Sequence, residues 1–230
     1  MRPLWIVLAA VAALGGAAAF RMTSPALEFV PLDDPPGFRK LEGRDLALTR
    51  SSAALAGLDR TLALPDADLD DLHAAAGPGV PVAVFGDYAC TVCRPLDARL
   101  AARAARGEIA LTRHQIARLG PSSATGARAA AAAAQQGHPD ALDERLYRSR
   151  FLPTEGWLRE VASAEGLDPD RLIADMEGAA AQDRLARSEA LARRFGVVAT
   201  PVLVIGRTVV TGAPSDRELD ALIEAEREAT

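Results

Sequence analysis

The hydrophobic pattern is weak over the first third of the chain and sharp from Val80 onward. "VPVAVFGDY" is a short apolar, β-branched run and predicts a buried strand from Val80 to Phe85. In "RPLDARLAARAARG" Leu96 and Leu100 stand four apart and Gly107 closes the run, which reads as a helix starting at the preceding cysteines. "EIALTRHQI" alternates Ile109, Leu111 and Arg113 as a second strand. Strand, helix and strand at this spacing form a βαβ unit, which requires a parallel sheet and a right-handed crossover.

From about Leu119 to Phe195 the pattern is helical. "SATGARAAAAAAQQG" and "HPDALDERLYRS" read as two helices, the first favoured because alanine is the best helix former. Thr154 caps "EGWLREVASAEG", and Asp168 with Pro169 opens "DRLIADMEG". "AQDRLARSEALARRFG" places Leu185, Leu191 and Phe195 on one side and ends at Gly196, a C-cap. The β pattern then returns: "TPVLVIGRTVVTG" is two branched-aliphatic runs joined by Gly206 and Arg207, the spacing of a hairpin with a two-residue turn. Ser215 and Glu218 form a capping box for a last helix whose buried side holds Leu219, Leu222 and Ile223. No internal repeat is visible.

The N-terminal third reads differently. "MRPLWIVLAAVAALGGAAAFRM" has a charged Arg2, an apolar core and small residues at Ala17 to Ala19, which suits a secretory signal. Its uncharged run from Pro3 to Phe20 also has the length of an uncleaved anchor. Both readings of residues 1–21, signal peptide or N-terminal membrane anchor, place the remainder beyond the cytoplasmic membrane, in the periplasm or another extracytoplasmic space that tolerates disulfides. Residues 22–37 carry Pro25, Pro31, Pro35 and Pro36 and read as a linker. Residues 38–76 show only two weak helical patterns, "AALAGLD" and "DADLDDLHAAAG". Residues 22–77 are thus a linker and N-terminal extension, and residues 78–230 the folded domain, with helices inserted at about 119–190.

Composition adds two exclusions. An apolar fraction of 49% in 230 residues is that of a globular chain with one sizeable core. The net charge of −5 is concentrated between Met22 and Gly77, where ten acids face five bases, so the rest is near neutral. No basic tract with interleaved aromatics occurs, which gives nucleic-acid binding no support.

The chemistry lies in "FGDYACTVCRPL", which holds both cysteines, Cys90 and Cys93. At the first turn of a helix this spacing brings two sulfurs within disulfide range. Unpaired backbone N–H groups and the helix dipole there favour a thiolate. Cys90 is the candidate nucleophile and Cys93, one turn deeper, the resolving thiol, working through a mixed disulfide. A structural disulfide over three residues would constrain the unfolded chain little. A closed zinc site needs four ligands, and His73, His114 and His138 stand at no ligand-like spacing. Haem attachment needs a histidine where Arg94 stands. A thioredoxin-like redox motif belongs between a strand and a helix of a βαβ unit, which is the context here. Thr200 and Pro201 stand at the start of a later strand, where proline suits a loop or edge; a cis bond would let Thr200 present its backbone at Cys90. No metal and no cofactor beyond the Cys90/Cys93 disulfide is expected. Each histidine reads as non-catalytic, His73 and His138 as surface residues and His114 as structural. Tyr88 and Phe85 suit either a core or a docking surface for unfolded chains.

"VAVFGDYACTVC", a long helical insertion and "FGVVATPVLVIGRTVVTG" together resemble the DsbA-like family of exported thiol:disulfide oxidoreductases over roughly residues 78 to 226. The resemblance implies an α/β, thioredoxin-like fold with a helical insertion subdomain. It implies that Cys90 is the nucleophile, Cys93 the resolving cysteine, and Thr200 with Pro201 a cis-proline loop that contacts substrate. It further implies two partners: unfolded or reduced exported proteins, and a membrane-bound redox protein that resets the disulfide. The chain departs from the family in two places. Thr91 and Val92 replace the Pro and His of the most oxidising members, which predicts a less acidic Cys90. Val84 stands where many members have a buried acid that assists proton transfer. Asp87 either replaces that acid or terminates the strand, and Arg94 either offsets its charge or is solvated surface. A disulfide reductase or isomerase and a thioredoxin-like copper chaperone using the same thiols are the alternatives.

Overall fold

The computed structural model describes residues 26–44, 64–75, 77–138, 141–149 and 153–229. The signal or anchor segment at 1–21 and the "AALAGLD" pattern at 53–59 lie outside them. Among the described residues no helix is long and apolar enough to cross a membrane.

Six strands and seven α-helices are described. The strands are β1 Phe29–Pro31, β2 Arg39–Leu41, β3 Val80–Gly86, β4 Ile109–Gln115, β5 Val202–Ile205 and β6 Thr208–Thr211. They form one sheet in the order β1-β2-β6-β5-β3-β4. The β3–β4 pair is parallel, with Val82 opposite Leu111, and is joined through helix α1, Cys93–Ala105, as the βαβ reading requires. β5 runs antiparallel to β3 and to β6. The remaining helices are α2 Pro121–Gln135, α3 Ala141–Arg148, α4 Glu155–Ala164, α5 Pro169–Asp175, α6 Ala179–Arg194 and α7 Asp216–Arg227. Thr154, Asp168 and the Ser215/Glu218 box cap α4, α5 and α7 as their sequences predict.

Period-2 alternation divides β3 and β5 between two cores. Val82, Val84, Leu203 and Ile205 face Leu96 and Leu100 of α1 and Leu219, Leu222 and Ile223 of α7. Ala83, Phe85, Val202 and Val204 face the opposite side, under Leu191, Ala192 and Phe195. A third core belongs to the insertion: the alanines of α2 pack with Leu142, Leu146, Leu158 and Leu172, and this core also includes Tyr88, Cys90 and Cys93. Alanine's small size lets α2 lie close to α3, α5 and α6 at once. Leu185 departs from its predicted side, packing into the insertion core while Leu191 and Phe195 serve the sheet.

The linker reading of residues 22–37 is corrected by the structure. Phe29–Pro31 is a strand, paired antiparallel to β2, which in turn lies parallel to β6. The domain therefore begins well before residue 78. Phe38 packs edge-on against Phe195 at 5.0 Å. The Arg39 guanidinium covers the Phe29 ring and bonds Thr208 Oγ1 and Glu226 Oε1, each at 2.8 Å. Three-residue strands are too short for a period-2 pattern to declare itself. "DADLDDLHAAAG" forms one 3-10 turn, Leu69–Asp71. His73 is half-buried, not a surface residue, with Nε2 2.9 Å from the Gly206 carbonyl.

Candidate active site

β3 delivers the chain to a short loop, residues 87–92, and α1 opens at Cys93. The Cys90 N–H closes a turn onto the Asp87 carbonyl at 3.0 Å. Val92, the N-cap, offers no side-chain cap, so the first N–H groups of α1 are left for the thiol. The Cys93 N–H donates to Cys90 Sγ at 3.2 Å. Both thiols are free; Cys90 is 7% and Cys93 2% exposed. Pro95 falls within the first turn of α1, where its missing N–H has no intrahelical partner to lose.

Thr200 and Pro201 arrive from the far end of the sequence. Their peptide bond is cis, Pro201 is buried, and the Thr200 carbonyl accepts from Cys90 Sγ at 3.7 Å. The two local motifs that the sequence singles out, separated by 110 residues, are thus in contact.

The two sulfurs are electrically unequal. The Cys93 thiol shares its hydrogen with Cys90, and Thr200 and the N–H groups of Cys93 and Val92 add to this. Against the opposing effect of burial, they draw Cys90 down to about 6. The same shared hydrogen, with burial, pushes Cys93 far up. One thiol is therefore ready to ionise near neutrality while the other holds its proton.

Asp87 is 1% exposed. Its carboxylate accepts from the N–H groups of Ala89 at 2.8 Å and of Arg118 and Leu119 at 3.0 Å, and from Ser123 Oγ at 2.5 Å. These partners tie the thiol loop to the β4–α2 connection, while the main chain of Asp87 reaches the Cys93 sulfur. Arg94 turns back over the loop and donates to the Tyr88 carbonyl at 3.3 Å. Val84 is buried on the α1 side of the sheet. Near it the charged groups are Asp97 of α1 and Arg113 of β4, joined at 2.7 Å with both side chains almost fully enclosed. Tyr88 and Phe85 are core residues: Phe85 stacks on His114, and the Tyr88 hydroxyl bonds Asp143. Among the described residues no cluster of three or more His, Cys, Asp or Glu side chains is placed to hold a metal ion.

Arg118 escaped sequence reasoning. Its guanidinium donates to the Val197 carbonyl at 2.5 Å and bonds Glu189 of α6. Neither partner is near it in the chain, and an arginine in a loop reads as solvated surface.

The DSBA-like thioredoxin domain model matches residues 93–224, from the second cysteine to α7. Among solved structures, the chain is similar to a thioredoxin-like oxidoreductase from Silicibacter pomeroyi DSS-3. The two share 30% identity over 71% of this chain and 100% of that one, with a TM-score of 0.64. The thiol-disulfide exchange protein alpha-DsbA2 from Wolbachia pipientis shares 19% identity over 77% of this chain and 95% of its own, with a TM-score of 0.59. A periplasmic thioredoxin-like protein from Salmonella enterica serovar Typhimurium shares 24% over 66% and 86%, with a TM-score of 0.55. At those two identities the likeness speaks for the fold alone. The curated proteins give no match. A match over more than half the chain, running from Cys93 through the Thr200–Pro201 loop to α7, places this chain in the DSBA-like thioredoxin domain family of thiol-disulfide oxidoreductases.

Proposed function

We propose that the protein is exported and forms disulfides in other exported proteins, with Cys90 as nucleophile, Cys93 as resolving thiol and Thr200–Pro201 as the substrate-contacting loop. The observation that carries this reading is the Cys90 sulfur itself. It stands at the opening of α1, takes the Cys93 N–H and faces the Thr200 carbonyl. In the oxidised form a client thiolate attacks Cys90 Sγ, the Cys90–Cys93 bond breaks, and Cys93 leaves with the electron pair and takes up a proton. A second client thiolate then attacks the client sulfur of the mixed disulfide and releases Cys90 as a thiolate. Two electrons have passed from client to enzyme, and a second, membrane-bound redox protein removes them. A depressed Cys90 favours the released thiolate and so favours oxidation of the client. Export rests on the N-terminal pattern of residues 1–21, as signal or tether.

A redox titration against glutathione tests the direction. A potential between about −120 and about −200 mV is expected, against about −270 mV for thioredoxin. A value at or below thioredoxin's sinks the oxidase reading in favour of a reductase or isomerase. That second reading draws on one observation: Thr91 and Val92, both exposed, bring no charge to the thiolate. Alkylation of Cys90 should rise through a pH of about 6. In Cys93→Ala, which removes the largest stabiliser, it should rise at higher pH. The same variant traps clients as mixed disulfides. Copper retained in stoichiometric amount without exchange activity would instead favour the copper chaperone.

A further inference from the structure

We propose that Arg118 is the positioning residue that sets the gap between Cys90 and the Thr200–Pro201 loop, and through it the grip on a client segment with aliphatic side chains beside its cysteine. The proposal rests on the oxidoreductase reading and adds to it.

Hydrogen bonds make a closed circuit around the thiol. Asp87 Oδ1 holds the Ala89 N–H, one residue before Cys90, at 2.8 Å. Asp87 Oδ2 holds the Arg118 and Leu119 N–H groups at 3.0 Å. The Arg118 main chain is thereby fixed to the thiol loop. Its guanidinium then reaches away from that loop, to the Val197 carbonyl at 2.5 Å and to Glu189. Three residues beyond Val197 comes Thr200, whose carbonyl returns to Cys90 Sγ at 3.7 Å.

Among the described residues the other backbone hydrogen bonds of 197–201 lie at the ends of the segment: the Val197 N–H donates to the Ala192 carbonyl and the Pro201 carbonyl accepts from the Gly212 N–H, each at 2.8 Å. Neither refers the loop to the thiol. The Arg118 side chain does, because one planar fork serves a carboxylate and a carbonyl at once. A lysine, with a single ammonium head, reproduces that geometry poorly.

Apolar exposure follows the same circuit. The large exposed hydrophobics among the described residues are Val92 at 48%, Leu119 at 55% and Val198 at 42%. Each adjoins an anchor: Val92 precedes Cys93, Leu119 follows Arg118, and Val198 follows Val197. Apolar side chains left in water directly beside the residues that frame a reactive sulfur fit a client chain carrying aliphatic groups beside its cysteine. The guanidinium ties together the segments that carry Leu119 and Val198.

The test compares two thiols reacting with the oxidised full chain: glutathione, which is small, and a ten-residue peptide with one cysteine between valine and leucine. Arg118→Ala should cut the second-order rate with the peptide about tenfold more than the rate with glutathione, since a small misplacement costs most where several contacts must align. Arg118→Lys should recover part of that selectivity. Glu189→Ala, which leaves Arg118 in place without its ionic partner, should fall between wild type and Arg118→Ala. A peptide-to-glutathione ratio unchanged within about twofold in Arg118→Ala and Glu189→Ala overturns the proposal. So do equal losses in both rates together with a lower melting temperature, since those mark a merely structural role. A wild type that reacts with neither thiol overturns the oxidoreductase reading itself, a result distinct from either of these.

Discussion

Two buried carboxylates, Glu226 and Asp87, do opposite kinds of work at different places in the same fold. Glu226, near the end of α7, faces the sheet edge built by the N-terminal arm. It accepts from the Arg39 guanidinium at 2.8 Å, the Arg207 N–H at 3.1 Å and Thr208 Oγ1 at 2.5 Å. Asp87, at the end of β3, is held by three backbone N–H groups and one hydroxyl. The first arrangement fastens one strand pair to the rest of the sheet and touches nothing that reacts. The second fastens loops on either side of a nucleophile. Burial and hydrogen bonding alone therefore do not mark a site; what the bonded segments carry does.

Removing each carboxylate separates the two roles. Asp87→Ala leaves buried donors without partners and should cost about 4 kcal/mol. Exchange should be lost even at temperatures where the variant is folded, because the loop before Cys90 and the anchor of Arg118 go together. Denaturant unfolding followed by a peptide-oxidation assay separates the two effects. A variant that folds normally and exchanges at the wild-type rate would erase the distinction between the two carboxylates. Glu226→Ala strands Arg39 against the sheet edge and should cost about 3 kcal/mol, with the exchange rate of the folded fraction unaltered. Loss of exchange there would mean that the N-terminal edge communicates with the thiols.

The same contrast explains what could be read from the chain. The strands from β3 onward, the helix caps and the hairpin turn are written in local patterns: period-2 alternation, Thr154, Asp168, Ser215 with Glu218, and Gly206. Cys90, Cys93, Thr200 and Pro201 are local motifs too, and chain topology brings them together. The partners of Asp87 lie up to 36 residues away and are mostly backbone N–H groups, which have no residue identity to recognise. Arg118 and Glu189 are separated by 71 residues and look like ordinary surface charges. The N-terminal arm escaped notice because its strands are three residues long and its prolines read as a linker.

Gly206 lies against the Glu226 carboxylate. It begins the β5–β6 turn with φ of +53°, in the left-handed region, and a Cβ there would collide with the Glu226 carboxylate. A side-chain terminus ordinarily moves aside. This one is committed to Arg39, Arg207 and Thr208, so Gly206→Ala should cost about 2 kcal/mol through backbone strain and loss of those bonds together. In a Glu226→Ala background the collision is gone, and the cost should fall to the backbone part, about 1 kcal/mol. Additive costs would show that the turn and the carboxylate are independent.

The smallest effect lies at His114, a fastening on the insertion side. Nε2 sits 3.1 Å from the Leu72 carbonyl and Nδ1 3.2 Å from Ser188 Oγ, so one ring joins the N-terminal extension to α6. Burial lowers its pKa to about 4 from an ordinary 6.5. Because the folded value is depressed, the stabilisation is fully present above the unfolded value of 6.5 and drains away as pH falls toward 4. Between pH 7 and pH 5.5 the loss should be about 1 kcal/mol, read as a falling midpoint in denaturant titrations. His114→Gln keeps a donor and an acceptor but does not titrate, so its stability should vary less over that interval. An equal slope in the variant would assign the acid sensitivity to other groups and leave His114 as a hydrogen-bonding spacer between the two regions.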